Sequence, residues 1–145
     1  MKVFILAASV FAFASSAAFA DPIAERKALM KANGKAIGTI APYVKEEKPF
    51  DAAAVFEALK TLSDDAQKLD VATHFPVGSD KGDTTASPAI WQDMAGFQAK
   101  IDKFKADTAA AAATPPQDLE ALMAAFGAIG SNCGGCHEVY RVKKG

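Results

Sequence analysis

The sequence predicts an all-α protein, an antiparallel up-down bundle of four helices, and three observations carry that expectation. Apolar residues recur at helical spacing in four separate segments, and no segment alternates apolar and polar residues as a half-buried strand would. Helix-start signals precede those segments, an acidic or hydroxylated residue followed by proline or by a well-placed partner. All but one of the connections are short, which favours antiparallel neighbours.

Helix one opens with Asp21 as N-cap and Pro22 at the first helical position, where a missing N–H costs nothing. Ile23, Met30, Ile37 and Val44 recur every seven residues, with Ile40 between them, and mark one buried stripe. Pro42 kinks or ends the helix, and "KEEKPF" is a charged connection. Asp51 caps helix two, with Phe50 packing on Val55 as a hydrophobic staple. Val55, Leu59, Leu62, Ala66 and Leu69 keep the helical period up to "HFPVGSDKGDTTAS", the one long connection, which places His74 at the surface. Ser87-Pro88 starts helix three, with Trp91 as a core anchor, Ile90, Met94, Phe97, Ile101 and Phe104 on its inner face, and an alanine run extending it. "TPPQ" starts helix four, Thr114 capping and Gln117 placed for the reciprocal bond. Leu119, Leu122, Phe126, Ile129, Cys133, Cys136 and Tyr140 then follow one stripe.

The N-terminus indicates the compartment. "MKVFILAASVFAFASSAAFA" carries one positive charge, an apolar run and a small-x-small site ending at Ala20, the pattern of a secretory signal peptide. Residues 1–20 are therefore expected to be removed, leaving one domain over residues 21–145 in the periplasm. Roughly 125 residues suffice for one core and not for two. No other segment is apolar enough to span a bilayer, so no membrane partner is expected after cleavage. The formal net charge is −1, and no basic stripe with interleaved aromatics suggests nucleic acid. Neither paired carboxylates nor a nucleophile–base constellation is evident, so the chain does not read as an enzyme.

Both cysteines and one of the two histidines lie in the closing "SNCGGCHEVYRVKKG". Cys133, Cys136 and His137 form C-x-x-C-H, the attachment pattern of a c-type haem. Thiols three residues apart on a helix can each add to one vinyl group of a porphyrin, and the next residue can offer its imidazole to the iron. A Cys133–Cys136 disulfide would close a tiny loop and stabilise little. A thioredoxin-like pair needs a βαβ setting, and zinc needs a fourth strong ligand. One covalent haem c with His137 as proximal ligand is the reading that remains. Gly127, Gly130, Gly134 and Gly135 crowd the same helix, either admitting a flat macrocycle or marking a frayed end. Met30 lies about 12 Å into helix one and Met94 about 9 Å into helix three, heights comparable to that of His137, whereas Met123 lies about 20 Å away. Periodicity leaves both Met30 and Met94 open as the distal residue.

These features resemble the class II cytochromes c, that is, cytochrome c prime and its low-spin relatives. The resemblance covers the mature chain and rests on "ERKALMKANG", "EEKPFDAAAV", "SPAIW" and "AAFGAIGSNCGGCHEVYR". It implies a four-helix bundle with haem near the C-terminal end of helix four, His137 proximal and Met30 distal. Arg26 is similar to the family arginine near the haem propionates, and Arg141 to the one flanking the proximal face. "LMKANGKAI" and "EEKPFD" are closest to the low-spin cytochrome c-556 group, whose iron has methionine bound and which transfers electrons. The expected function is thus a one-electron carrier with His/Met ligation. The alternative is a five-coordinate cytochrome c prime that binds nitric oxide or carbon monoxide. A peroxidase would need a distal acid–base group, for which only His74 is available. Arg141, Lys143 and Lys144 form a basic patch that could steer an acidic redox partner. The resemblance also implies homodimers through the first two helices as one state of the family.

Overall fold

The computed structural model describes residues 21–143, so the expected signal peptide and Lys144 lie outside the described residues. These contain six helices: α1 (Pro22–Val44), α2 (Ala52–Gln67), α3 (Val71–His74), α4 (Ala89–Gln92), α5 (Met94–Ala113) and α6 (Leu119–Tyr140). The four long ones form a ring in which α1 packs on α2 and α6, and α5 closes the circle between α2 and α6. This is the expected up-down bundle, with α3 and α4 as short turns in the long connection. Among the described residues no helix is long and apolar enough to cross a membrane.

Each long helix begins on an aspartate whose carboxylate takes up a backbone N–H that has no helical partner. Asp21 accepts from Ile23 at 2.9 Å, Asp51 from Ala53 and Ala54 at 3.0 and 3.1 Å, Asp93 from Gly96 at 3.0 Å and Asp118 from Ala121 at 2.8 Å. Pro42 sits in the last turn of α1, which ends two residues later. The Lys45 N–H then bonds to the Ala41 carbonyl, and Glu46 turns the chain with φ at 59°.

The buried face of α2 is the one expected, Val55, Leu59, Leu62, Ala66 and Leu69. That of α1 differs. Arg26, Asn33, Ala36 and Ile40 are buried, whereas Ile23, Ile37 and Val44 are half-buried and Met30 is exposed. Arg26, Asn33 and Ile40 are themselves spaced by seven, so the buried stripe lies three residues on from the expected one, about 60° around the helix.

Two boundaries also differ. Helix three is broken at Asp93 (φ −134°, ψ 62°), which accepts from both Gly96 and the Tyr140 hydroxyl, the latter at 2.8 Å. A side chain at Gly96 would come within 2.7 Å of that hydroxyl and push against the Asp93–Tyr140 pair. The last helix starts at Leu119 rather than in "TPPQ". Thr114, held extended before a proline, instead ends α5, and Gln117 donates to the Pro115 carbonyl at 2.8 Å.

The long connection is stapled to α1. Arg26 is buried and donates to the His74 carbonyl (3.0 Å), the Ser79 hydroxyl and carbonyl (2.9 and 2.6 Å) and the Thr84 hydroxyl (2.7 Å). Its guanidinium carbon lies 5.0 Å from the Phe75 ring centroid. Burial lowers its pKa, with Asp21 opposing. Trp91 Nε1 donates to the Phe75 and Pro76 carbonyls at 3.1 and 3.2 Å. His74 is not at the surface. It is buried, with Nδ1 2.9 Å from the Asp70 carbonyl and Nε2 3.9 Å from Glu25 Oε2. The polar composition of the loop hid this, because its oxygens face inward to the guanidinium.

Two measurements test this packing. Leu122, fully buried on α6, should cost about 2–5 kcal/mol in urea unfolding when replaced by alanine, and a loss below about 1 kcal/mol would contradict its core position. Tyr140→Phe should lower the urea midpoint at pH 7. The Tyr140 hydroxyl, then the Gly96 N–H, hold the Asp93 carboxyl below its ordinary pKa. That contribution is complete above the unfolded pKa and fades as pH falls through the folded one. The gap between wild type and variant should therefore narrow below about pH 4, and a gap that stays constant to about pH 2 would overturn the assignment.

Candidate haem-attachment site

The C-terminal turns of α6 carry Cys133, Cys136, His137 and Tyr140 at i, i+3, i+4 and i+7, which puts all four on one side of the helix. Several bonds fix the rotation of that helix. Asn132, buried beside Cys133, donates to Asp107 Oδ2 on α5 at 2.6 Å and to the Ala128 carbonyl at 3.1 Å. Tyr140 is bonded to Asp93, and its carbonyl accepts from the Ser87 N–H at 2.9 Å. Ala86 and Arg141 form an antiparallel bridge, and Val142 N–H donates to the Thr85 carbonyl at 2.8 Å. The helix end is therefore pinned rather than frayed. Nothing in the protein explains Gly127, Gly130 and Gly134, where an added side chain would meet no neighbour within 4 Å.

This face borders a cavity of 780 Å³ between α1, α5 and α6. Six residues predicted from the sequence come together on its walls: Arg26, Met30, Cys133, Cys136, His137 and Arg141. Met94 is not among the lining residues and packs half-buried against the core. Nor does His74 reach the wall, so the group that a peroxidase reading required is elsewhere. Met123 is half-exposed and likewise absent from the wall. The floor is apolar, with Leu62, Leu69, Phe97, Ile101 and Phe104.

Both thiols are free and half-buried, and burial raises their pKa values, partly offset at Cys136 by Lys100. Burial first, then the Arg141 charge, lowers the pKa of His137, which favours the neutral imidazole with a lone pair to donate. Arg26 borders the cavity with its terminal nitrogens already engaged by the loop, so its main work is to hold that wall. Arg141 is exposed at the mouth.

The residues suit a flat macrocycle. The cavity lies within the roughly 300–1,000 Å³ usual for cofactor sites, and two free thiols and an imidazole meet it from one helical face. Asn33, buried on the same wall one turn from Met30, has an Oδ1 with no hydrogen-bond partner among the described residues. Sequence reasoning missed Asn33 and Lys100. A polar residue three places after Met30, on an otherwise apolar face, was the available signal for the first.

The Cytochrome C' family profile matches residues 21–141. A cytochrome c-556 from Agrobacterium fabrum is 41% identical over 125 residues, covering 86% of this chain and 84% of the relative. A cytochrome c' from Rhodopseudomonas palustris is also 41% identical, with the same coverage. A solved cytochrome c' structure from Rhodopseudomonas palustris superposes with a TM-score of 0.79 at 40% identity, over 87% of this chain and 99% of that one. A free C-x-x-C-H on a pinned helix, facing an apolar cavity in a four-helix bundle, agrees with every one of these matches: the chain belongs to the cytochrome c' family, whose members carry a covalently bound haem c.

Proposed function

We propose that the protein is a periplasmic one-electron carrier whose haem iron is held between His137 and Met30. One observation carries the reading: Met30 lines the same cavity as Cys133, Cys136 and His137, and Met94 does not. Export is supported by the leader pattern of residues 1–20.

Bound haem supplies the iron couple that accepts and releases one electron. The chain's own residues do the rest. Cys133 and Cys136 would carry the covalent links, which fix the macrocycle against α6. His137 offers a neutral imidazole, and Met30 a soft, uncharged thioether, a ligand pair that favours the reduced state relative to harder donors. The apolar floor excludes water, which limits the rearrangement that must accompany a change of charge. Asn132 and Tyr140 hold the α6 face in place, so that His137 need not move.

The second reading is a five-coordinate, gas-binding cytochrome c'. It is favoured by the cytochrome c' relative from Rhodopseudomonas palustris, which is as similar to this chain as the cytochrome c-556. Carbon monoxide added to the ferrous holoprotein separates the two. Electron transfer with a bound Met30 predicts a negligible spectral change, and rapid, near-complete binding would establish an open iron instead.

Two variants test the ligand assignment. Met30→Ala should convert the iron to high-spin and open it to carbon monoxide, with the covalent haem retained. Met94→Ala should leave the iron low-spin and lower stability by about 1–2 kcal/mol, less than a fully buried methionine because Met94 is half-buried. The opposite pattern would move the distal face to helix three.

A further inference from the structure

Charge is strongly segregated around the cavity. Of the 16 Lys and Arg in the chain, five line it, Arg26, Lys27, Lys31, Lys100 and Arg141, whereas none of the 17 Asp and Glu does. The rest of the molecule therefore carries an excess of acid. Arg26 is buried, and the other four are exposed around the mouth. Lys27 is ion-paired with Asp83, but among the described residues no carboxylate pairs with Lys31, Lys100 or Arg141. The three come from α1, α5 and the end of α6, so they surround the opening rather than form a stripe along one helix. Lys100 reaches across to α6, its Nζ 3.6 Å from where a side chain on Gly135 would begin. A haem's pair of propionates cannot neutralise the whole set.

We infer that this basic rim is the docking surface for an acidic redox protein, whose carboxylates would meet Lys31, Lys100 and Arg141 and bring its own centre to the cavity mouth. The inference rests on the electron-carrier reading and supplies its partner class. A local positive field on a protein of negative net charge orients an acidic partner as well as attracting it. The three cations are gathered from three helices around one cavity, which suits the acidic face of a single protein better than an extended anionic membrane.

The test uses the ferrous holoprotein and two oxidants of opposite charge, hexacyanoferrate(III) and tris(phenanthroline)cobalt(III), in stopped flow at ionic strengths from about 10 to about 300 mM. The negative net charge alone predicts that the anionic oxidant speeds up with salt. The rim predicts the reverse: oxidation by hexacyanoferrate slows roughly ten-fold across that range, and the cationic oxidant does not slow. Lys31→Glu with Lys100→Glu should abolish the slowing, while Lys60→Glu on α2 should leave it intact. Poly-L-glutamate should compete with hexacyanoferrate for the wild type and not for the double variant. A hexacyanoferrate rate that rises with salt, or a double variant that behaves like wild type, would overturn the proposal. So would co-sedimentation with phosphatidylglycerol vesicles that poly-L-glutamate fails to displace. Failure of the carrier reading is seen separately, in carbon monoxide binding at any salt concentration.

Discussion

Two thiols and an imidazole must reach one cavity from a single helix, and a helix allows this only if the three lie within about one turn on the same side. The spacing of Cys133, Cys136 and His137 meets that condition, and much of the surrounding structure serves to keep that side turned inward. A rotation of α6 by one residue would turn the group about 100° around the axis and carry it out of the cavity. Asn132 on Asp107 and Tyr140 on Asp93 oppose such a rotation at points on either side of the motif.

The same bonds account for features that look like irregularities elsewhere. The break at Asp93 interrupts a helix that periodicity would make continuous, and in exchange one carboxylate caps α5 and receives Tyr140. From Tyr140 a run of aromatic contacts crosses the cavity floor. Its ring lies 5.1 Å from Phe97, Phe97 lies 4.7 Å from Phe75, and Arg26 covers Phe75. Arg26 in turn bonds the 74–84 segment. The long connection is thus a wall of the site, joined to α6 through α5. Burying a guanidinium costs desolvation, which the four oxygens around it offset.

The bundle and the attachment motif were legible because both depend on local spacing. The buried face of α2, the caps at Asp21 and Asp51 and the stripe ending at Tyr140 follow from residues a few positions apart. What the sequence concealed depends on contacts between distant residues. Asp93 acts as a cap because Tyr140, 47 residues later, is bonded to it. His74 is buried because its backbone serves Arg26, 48 residues earlier. "TPPQ" offered a plausible start for the last helix, but Thr114 was already extended ahead of two prolines and Asp118 was the stronger cap. Met30 and Met94 could not be separated by periodicity, since α1 and α5 both border the cavity and only the fold determines which of the two methionines lines it.

The ligand set of the iron is the central claim, and the spectrum of the oxidised holoprotein reads it most directly. With Met30 and His137 both bound, the near-infrared absorption should contain a sulfur-to-iron charge-transfer band and the electron paramagnetic resonance should be low-spin throughout. A high-spin ferric signal without that band would contradict the account and leave Met30 as a residue that overlies the iron without binding it.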